Sequence, residues 1–433
     1  MVKPASFQVP YEINCCPKVI MKIETLKFSN YKGFRNQQTL KLKPVTLLIG
    51  KNSSGKSSIT KLFLALQKSL QGKIDQPLLL QNRGVELGSE VEHLFNQTIK
   101  PLTLKLSLSD QSTLEFSCNL LEKSLKIVTW YYQSSCDDNS QGLDHPCYVY
   151  HNPNYAIDSE EDSTDPKVIA LHDRTPNLQF KGVIPQGHHI PELGLTGIDL
   201  DIDYIDPFRI VPPRYFYVIG ETNFKNSGIQ GENTYHLLVT NASQDNKLVE
   251  AVSQWYQNYL GGWSIKVENE KRKPLVEILL TQGRTEINLV DTGQGMSQAL
   301  PLVIRASRWD RPDSLIILEQ PELHLHPGAH GDLMELFARS AKQHNQTFLI
   351  ETHAENLLLR LRKLVVENDF NFSCDDVVIY WLEDDGDGSK ELREITLDEE
   401  GTFSDWPDGV FREGMKDLLA MQRLLRKRES QSL

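Results

Sequence analysis

The sequence contains no apolar run approaching the 18 residues that mark a membrane-spanning helix, so no membrane span is expected. Its first 20 residues lack the long apolar core of a secretion signal. The six cysteines (Cys15, Cys16, Cys118, Cys136, Cys147, Cys374) form no C-x-x-C pair and stand at no zinc spacing with histidine. They are expected to be free thiols in a reducing cytoplasm. Basic excess is missing too: 46 Lys and Arg face 58 Asp and Glu, a net charge of −12. A protein that coats nucleic acid with its whole surface is basic, so any such contact here is confined to a local patch. There is no internal repeat, and no sustained heptad pattern separates the two halves. What remains is ordinary globular composition, 39% apolar and 24% charged, in 433 residues, enough for two or three lobes and a large core.

The most specific feature is Gly50-Lys51-Asn52-Ser53-Ser54-Gly55-Lys56-Ser57, which fits G-x-x-x-x-G-K-S/T. Its flanks suit the motif. Val45 to Ile49 is a short β-branched apolar run, expected to be a buried strand. Ile59, Leu62, Phe63, Leu66 and Leu70 recur at helical spacing. In a strand, glycine-rich turn, helix context the backbone N–H groups wrap a phosphate, and the helix N-terminus adds partial positive charge. Gly50, Asn52, Ser53, Ser54, Gly55, Lys56, Ser57 and Ser58 are therefore the expected nucleotide-binding residues. Lys56 is placed to reach the β- and γ-phosphates, and Ser57 to ligate magnesium.

Around this motif the chain alternates in character. Met21 begins the first periodic strand, so residues 1–20 are expected to be an extension, whether the protein starts at Met1 or Met21. Leu102, Leu104, Leu106 and Leu108 alternate, then Leu114, Phe116 and Cys118, which predicts an antiparallel hairpin with a third strand over Ser124 to Tyr132. Residues 134–167 are rich in Asp, Ser, Asn and Gly and include the acidic run Asp158 to Asp162; a solvated insertion is expected. Residues 168–215 are proline-rich and irregular. A helix is predicted over 247–260 and strands over 263–268, 275–281 and 285–290. From 314 onward strands and helices alternate as on a parallel sheet.

Three further segments suit a nucleotide site. Ser314 to Leu318 runs into Glu319-Gln320-Pro321-Glu322, an acid at the end of a buried strand where P-loop ATPases hold magnesium. Thr347 to Thr352 is another buried strand, ending at His353. That imidazole can bond a γ-phosphate or the attacking water, or cap the helix starting near Ala354. Asp291 to Gln298 carries Gly293, Gly295 and Ser297 before an apolar helix over Ala299 to Ala306. It is either a second anion-binding helix N-terminus or a turn whose glycines serve positive φ.

Together these motifs resemble the ABC-type ATPase heads of the SMC, RecF and OLD group, and most of all small stand-alone bacterial AAA-type ATPases. The run from Ile23 to Ser58 is similar to that group's start. DTGQGMSQALPLV (291–303) sits where the signature motif lies, LIILEQPELHLHP (315–327) where Walker B and the D-loop lie, and FLIETHAENLLLRL (348–361) where the switch histidine lies. The segments 375–388 and 395–413 are similar as well. The resemblance covers about 21–110 and 205–415. It implies an α/β fold: an ABC-type P-loop head with an antiparallel β lobe and an irregular insertion. The expected division is 1–20 extension, 21–130 N-terminal part of the head with its β lobe, 131–215 insertion, and 216–433 C-terminal part of the head.

The resemblance also implies a head-to-tail homodimer in which ATP on Lys56 and Ser57 of one chain is capped by Ser297 and Gly295 of the other. Glu319 would hold magnesium through water and His353 would sense the γ-phosphate. One departure matters. The residue after the Walker B acid, normally a catalytic Glu, is Gln320. A Gln can orient water but cannot accept its proton. Slow hydrolysis is expected, with Glu322 as a substitute base, and the nucleotide acts mainly as a dimerisation switch. The dimer would act on DNA or on a partner effector such as a nuclease, in phage defence or DNA repair. The alternative is an essentially non-hydrolysing scaffold or sensor.

Smaller signals have plain explanations alongside functional ones. His324 and His326 form a His-x-His pair with no third ligand, which suits packing at a dimer seam better than metal binding. Tyr31, Lys32 and Phe34 can face an adenine or serve the core. Asp384, Asp385 and Asp387, beside Gly386 and Gly388, suit a hairpin turn better than a metal site. Arg423, Arg426, Lys427 and Arg428 suit the end of a helix, or a contact with DNA or a partner.

Overall fold

The computed structural model describes residues 21–82, 84–97, 99–134, 147–152, 168–171, 178–186, 195, 197–217, 224–269 and 275–407. The expected extension over 1–20, most of the acidic insertion and the basic cluster over 423–428 lie outside the described residues.

The functional strands gather in one sheet. Its strands in chain order are β1 (Val45–Gly50), β2 (Ile202–Ile205), β3 (Leu315–Glu319), β4 (Thr347–Glu351), β5 (Val377–Asp384) and β6 (Lys390–Ile395). Their spatial order is β2-β3-β4-β1-β5-β6. All pairs are parallel except β5 with β6, a hairpin. Its turn holds Asp385, whose Oδ1 accepts the N–H groups of Asp387 (2.9 Å) and Ser389 (3.0 Å), so this acidic cluster is a turn as expected. The sheet is covered on both faces, which is why β1, β3 and β4 read as continuous apolar runs. Leu48 faces one core, while Val45, Leu47 and Ile49 face the other. Against the sheet, within the first core, lies α1 (Lys56–Leu70), with Ile59, Leu62, Phe63, Leu66 and Leu70 all buried.

That first core is closed by an antiparallel sheet. Leu102–Leu108, Thr113–Leu121 and Ser124–Gln133 form the predicted meander. The sheet extends further than the meander, to Ile23–Ser29 and Gln38–Lys41 on one side and Cys147–His151 and Val168–Ala170 on the other. The two strands before β1 thus belong to this lobe rather than to the core sheet. On the opposite face pack α2 (Glu232–Ala242), α3 (Lys247–Tyr259), α4 (Gln294–Ala306), α5 (Pro327–Gln343) and α6 (Glu355–Glu367). Beside them the three strands predicted over 263–268, 275–281 and 285–290 form as Ser264–Asn269, Leu275–Gln282 and Thr285–Asn288, paired antiparallel and extended by Phe216–Tyr217. The observed class is the expected one: α/β, with a P-loop on a mostly parallel sheet and an antiparallel lobe.

The irregular segment hides one core strand. Ile202–Ile205 pairs in parallel with β3. Its signal was present: Ile198, Leu200, Ile202 and Tyr204 are buried, with Asp199 and Asp201 alternating between them. Glycine and proline on both sides obscured it.

Candidate functional site

The turn after β1 needs its glycines. Gly50 has φ 154° and Gly55 has φ 102°, and Ser53 shares the left-handed region at 63°. A Cβ on Gly50 would stand 2.7 Å from the Leu382 carbonyl oxygen, and one on Gly55 3.0 Å from the Phe34 ring. The first turn of α1 has no side-chain cap and no acidic residue, so its free N–H groups and positive end face the turn. Lys56, only 3% exposed, folds back so that Nζ donates to the carbonyls of Gly50 (3.0 Å) and Lys51 (2.8 Å). Burial lowers its pKa, against the pull of Glu351 and Glu319. Ser54 Oγ is buried with no protein partner. Tyr31 and Phe34 are fully buried beneath the turn, and the Tyr31 hydroxyl donates to the Ser58 carbonyl (2.9 Å). They brace the loop as core residues.

Two carboxylates close the site. Glu319 ends β3, Glu351 ends β4, and the two are register partners on neighbouring strands. Thr60 Oγ1 donates to Glu319 Oε1 (2.5 Å), and Ser57 Oγ donates to Glu351 Oε2 (2.8 Å). Both acids are buried. Burial raises the Glu319 pKa, opposed by the Thr60 and Tyr204 hydroxyls. Burial, and then Glu319 itself, push Glu351 up to about 7. Among the described residues neither carboxylate is in an ion pair. A P-loop hydroxyl beside buried carboxylates is a hard-oxygen donor set, and it fits magnesium, which takes one or two carboxylates together with phosphates. Glu351 was missed by the sequence reading, although its signal matches that of Glu319: an acid ending a buried strand.

The turn after β3 is tied to the turn after β4. Gln320 has φ 43°, and its N–H donates to the Glu351 carbonyl (2.7 Å). Glu322 Oε1 accepts both Thr352 Oγ1 (2.8 Å) and the His353 N–H (2.9 Å), while its Oε2 is buried without a protein partner. His353 is not the cap of the following helix. Thr352 Oγ1 accepts the Ala354 N–H (3.0 Å) ahead of α6, and the His353 side chain stays exposed. Burial of part of the ring, and then nearby Lys56, hold its pKa below the ordinary value. His326 caps α5, its Nδ1 accepting the Gly328 N–H (3.1 Å), and no cluster of three metal-ligating side chains occurs among the described residues.

The glycine-rich segment 291–297 differs from expectation in detail. Helix α4 begins at Gln294, three residues before Ser297. Gly293 is its N-cap with φ −60°, and neither Gly293 nor Gly295 adopts positive φ. Gly295 serves close packing instead: a Cβ there would stand 3.1 Å from the His324 carbonyl oxygen. Gly293 and Gln294 are exposed, whereas Ser297 is buried and its Oγ donates to the Gln294 carbonyl (3.2 Å). Among the described residues no hydrogen bond joins 293–297 to the 50–58 turn. Arg209, from the irregular segment, was also missed. It is 5% exposed; Nη2 donates to the Leu323 carbonyl (3.0 Å), and its own carbonyl accepts Gln298 Nε2 (3.2 Å). It links α4 to the turn after β3, and nothing in its sequence setting marks it.

A cavity of about 1050 Å³ lies elsewhere, between the far end of α1 at Gln67 and Gln71 and the Arg308 to Asp313 turn. None of the residues above lines it.

Known proteins bear on this geometry. A family model described as AAA ATPase domain matches residues 21–184 and 222–358. A second, described as Protein of unknown function (DUF3696), matches residues 373–421. Among solved structures, the chain is similar to an SMC head bound to the C-winged helix domain of ScpA, at 12% identity and TM-score 0.44, covering 87% of this chain and 98% of that one. It is similar to the SMC head domain from Thermotoga maritima, at 10% identity and TM-score 0.38, covering 86% and 98%. It is also similar to the Smc head domain with an extended coiled coil bound to the C-terminal domain of ScpA derived from Pyrococcus furiosus, at 10% identity and TM-score 0.44, covering 93% and 100%. No curated protein matches the sequence.

Proposed function

The chain belongs to the AAA ATPase domain family, and from that premise we propose that it is a slow ATPase whose bound ATP joins two copies head to tail. Residues 50–58 hold the phosphates through backbone N–H groups and the N-terminus of α1. Lys56 turns from the Gly50 and Lys51 carbonyls to the β- and γ-phosphates. Ser57 and Glu319 hold magnesium, which neutralises charge on the phosphates. His353, exposed beside Lys56, contacts the γ-phosphate.

The observation that carries the slow reading is Gln320, which follows the Walker B strand β3 at φ 43° with its N–H bonded to the Glu351 carbonyl at the end of β4. Its amide orients water without taking a proton. Glu322 Oε1 is committed to the Thr352 hydroxyl and the His353 N–H and its Oε2 is buried, which disfavours it as a substitute base. The exposed N-terminus of α4 supports the dimer. Gly293 and Gln294 are the groups that a second chain presents first, with Ser297 behind them. The dimer acts on DNA or on a partner effector such as a nuclease, in phage defence or repair. A net charge of −12 favours a local patch over a wholly basic DNA-binding surface.

Steady-state turnover tests this. Wild-type kcat is expected below about 1 s⁻¹, under the common enzyme range. Lys56→Ala weakens ATP binding and abolishes turnover, and Gln320→Glu raises kcat about tenfold or more, as a positioned base allows. If Gln320→Glu left turnover unchanged while Lys56→Ala abolished it, the slow-switch reading would lose its basis. Zero turnover with intact ATP-dependent dimerisation would favour the scaffold or sensor reading. Salt-dependent DNA binding by the ATP-bound protein would favour DNA as the target.

A further inference from the structure

We propose that Glu351 is a second carboxylate of the magnesium site, acting beside Glu319 on the metal that Ser57 ligates. This rests on the P-loop reading above and adds a residue to it.

The placement is built by the fold. Strands β3 and β4 are parallel neighbours, and Glu319 and Glu351 are register partners at their C-terminal ends. The two carboxylates therefore emerge side by side where an open α/β sheet binds its ligands. Each is tied to the first turns of α1, Glu351 through Ser57 Oγ at 2.8 Å and Glu319 through Thr60 Oγ1 at 2.5 Å. The serine expected to ligate magnesium thus touches Glu351, not Glu319. Both acids are more than nine-tenths buried, and among the described residues neither is in an ion pair. Lys56 gives its ammonium to two backbone carbonyls. Two like charges at neighbouring strand ends are costly without a cation, and a divalent ion against the serine hydroxyl balances them. Gln320 lies one residue past Glu319 and supplies no charge, so the second carboxylate comes from β4 rather than from the Walker B turn.

The competing role for Glu351 is general base, and the two roles separate in binding. ATP affinity is measured with a fluorescent ATP analogue, with magnesium and in EDTA, for wild type, Glu351→Gln, Glu319→Gln and Lys56→Ala. Wild type is expected to bind at least tenfold tighter with magnesium. Glu351→Gln keeps the EDTA affinity and loses most of the magnesium gain, as Glu319→Gln does. Lys56→Ala is weak in both conditions. Full retention of the magnesium gain by Glu351→Gln, with only turnover lost, would overturn the proposal in favour of a base. Loss of affinity in EDTA as well would overturn it in favour of a support role for the P-loop. Failure of the wild type to bind ATP at all would instead sink the underlying nucleotide reading. If Glu351→Gln does not fold, Glu351→Asp carries the test: its magnesium gain drops at least threefold, and an unchanged gain contradicts the proposal.

Discussion

Glu319 and Glu351 give the metal-free protein a pH dependence opposite to ordinary acid denaturation. Glu351 has an ordinary pKa of 4.5 and stands near 7 in the fold. Its folded value is raised, so its stabilising contribution is fully present below about 4.5 and is lost as pH rises through 7. The magnitude is on the order of 3 kcal/mol for a buried group. Thermal unfolding in EDTA without nucleotide, from pH 5 to pH 8, measures it as wild type minus Glu351→Gln. The variant is neutral throughout and becomes relatively more stable as pH rises; a flat difference would contradict the assignment. At this scale Lys56, Ser57 and Glu319 were legible because a backbone-defined motif and a strand end mark them. Glu351 satisfies the same strand-end rule, but His353, two residues on, carries the more conspicuous signal. Arg209 was not legible, because its role depends on α4 and the turn after β3 meeting in space.

At the scale of elements, the joint between β2 and α4 depends on Arg305 and Asp203. Both are 1% exposed; Arg305 Nε donates to Asp203 Oδ2 (2.6 Å) and Nη2 to Ser314 Oγ (2.6 Å). Arg305→Met leaves Asp203 buried with Ser227 and the more distant Arg311, 3.9 Å away. Breaking a buried pair from one side costs about 3 kcal/mol or more, so denaturant unfolding should show a loss of that size. An unchanged midpoint would mean that the pair is not coupled to global stability. Strands β1, β3 and β4 were legible as apolar runs because both faces are covered. The start of α4 was not. Gly293 and Gly295 are poor helix formers, so local propensity delays the helix, and tertiary contacts restore it. The Tyr256 hydroxyl donating to the Met296 carbonyl at 2.6 Å is one of them.

Over the whole molecule, the antiparallel lobe and the core sheet share residues from distant parts of the chain. Ile23–Ser29 pairs with Leu102–Leu108, and Ile202–Ile205 reaches β3 across more than a hundred residues. Alternation predicts a strand but not its partner, so the hairpins were legible and these long-range pairings were not. The ATP-joined dimer can be tested at this scale without disturbing the fold. At Gly293 the φ is −60°, and a Cβ meets nothing within 4 Å, so Gly293→Asp is tolerated and adds a side-chain cap to α4. Its carboxylate also sets negative charge against a phosphate presented by a second chain. Sedimentation velocity of wild type and Gly293→Asp, with and without magnesium and ATP, is the most direct test. The wild type should pass from monomer to dimer only with ATP, while Gly293→Asp still binds ATP through its own P-loop and stays monomeric. A wild type whose assembly state ignores saturating ATP, or a Gly293→Asp variant that dimerises as the wild type does, would contradict the account.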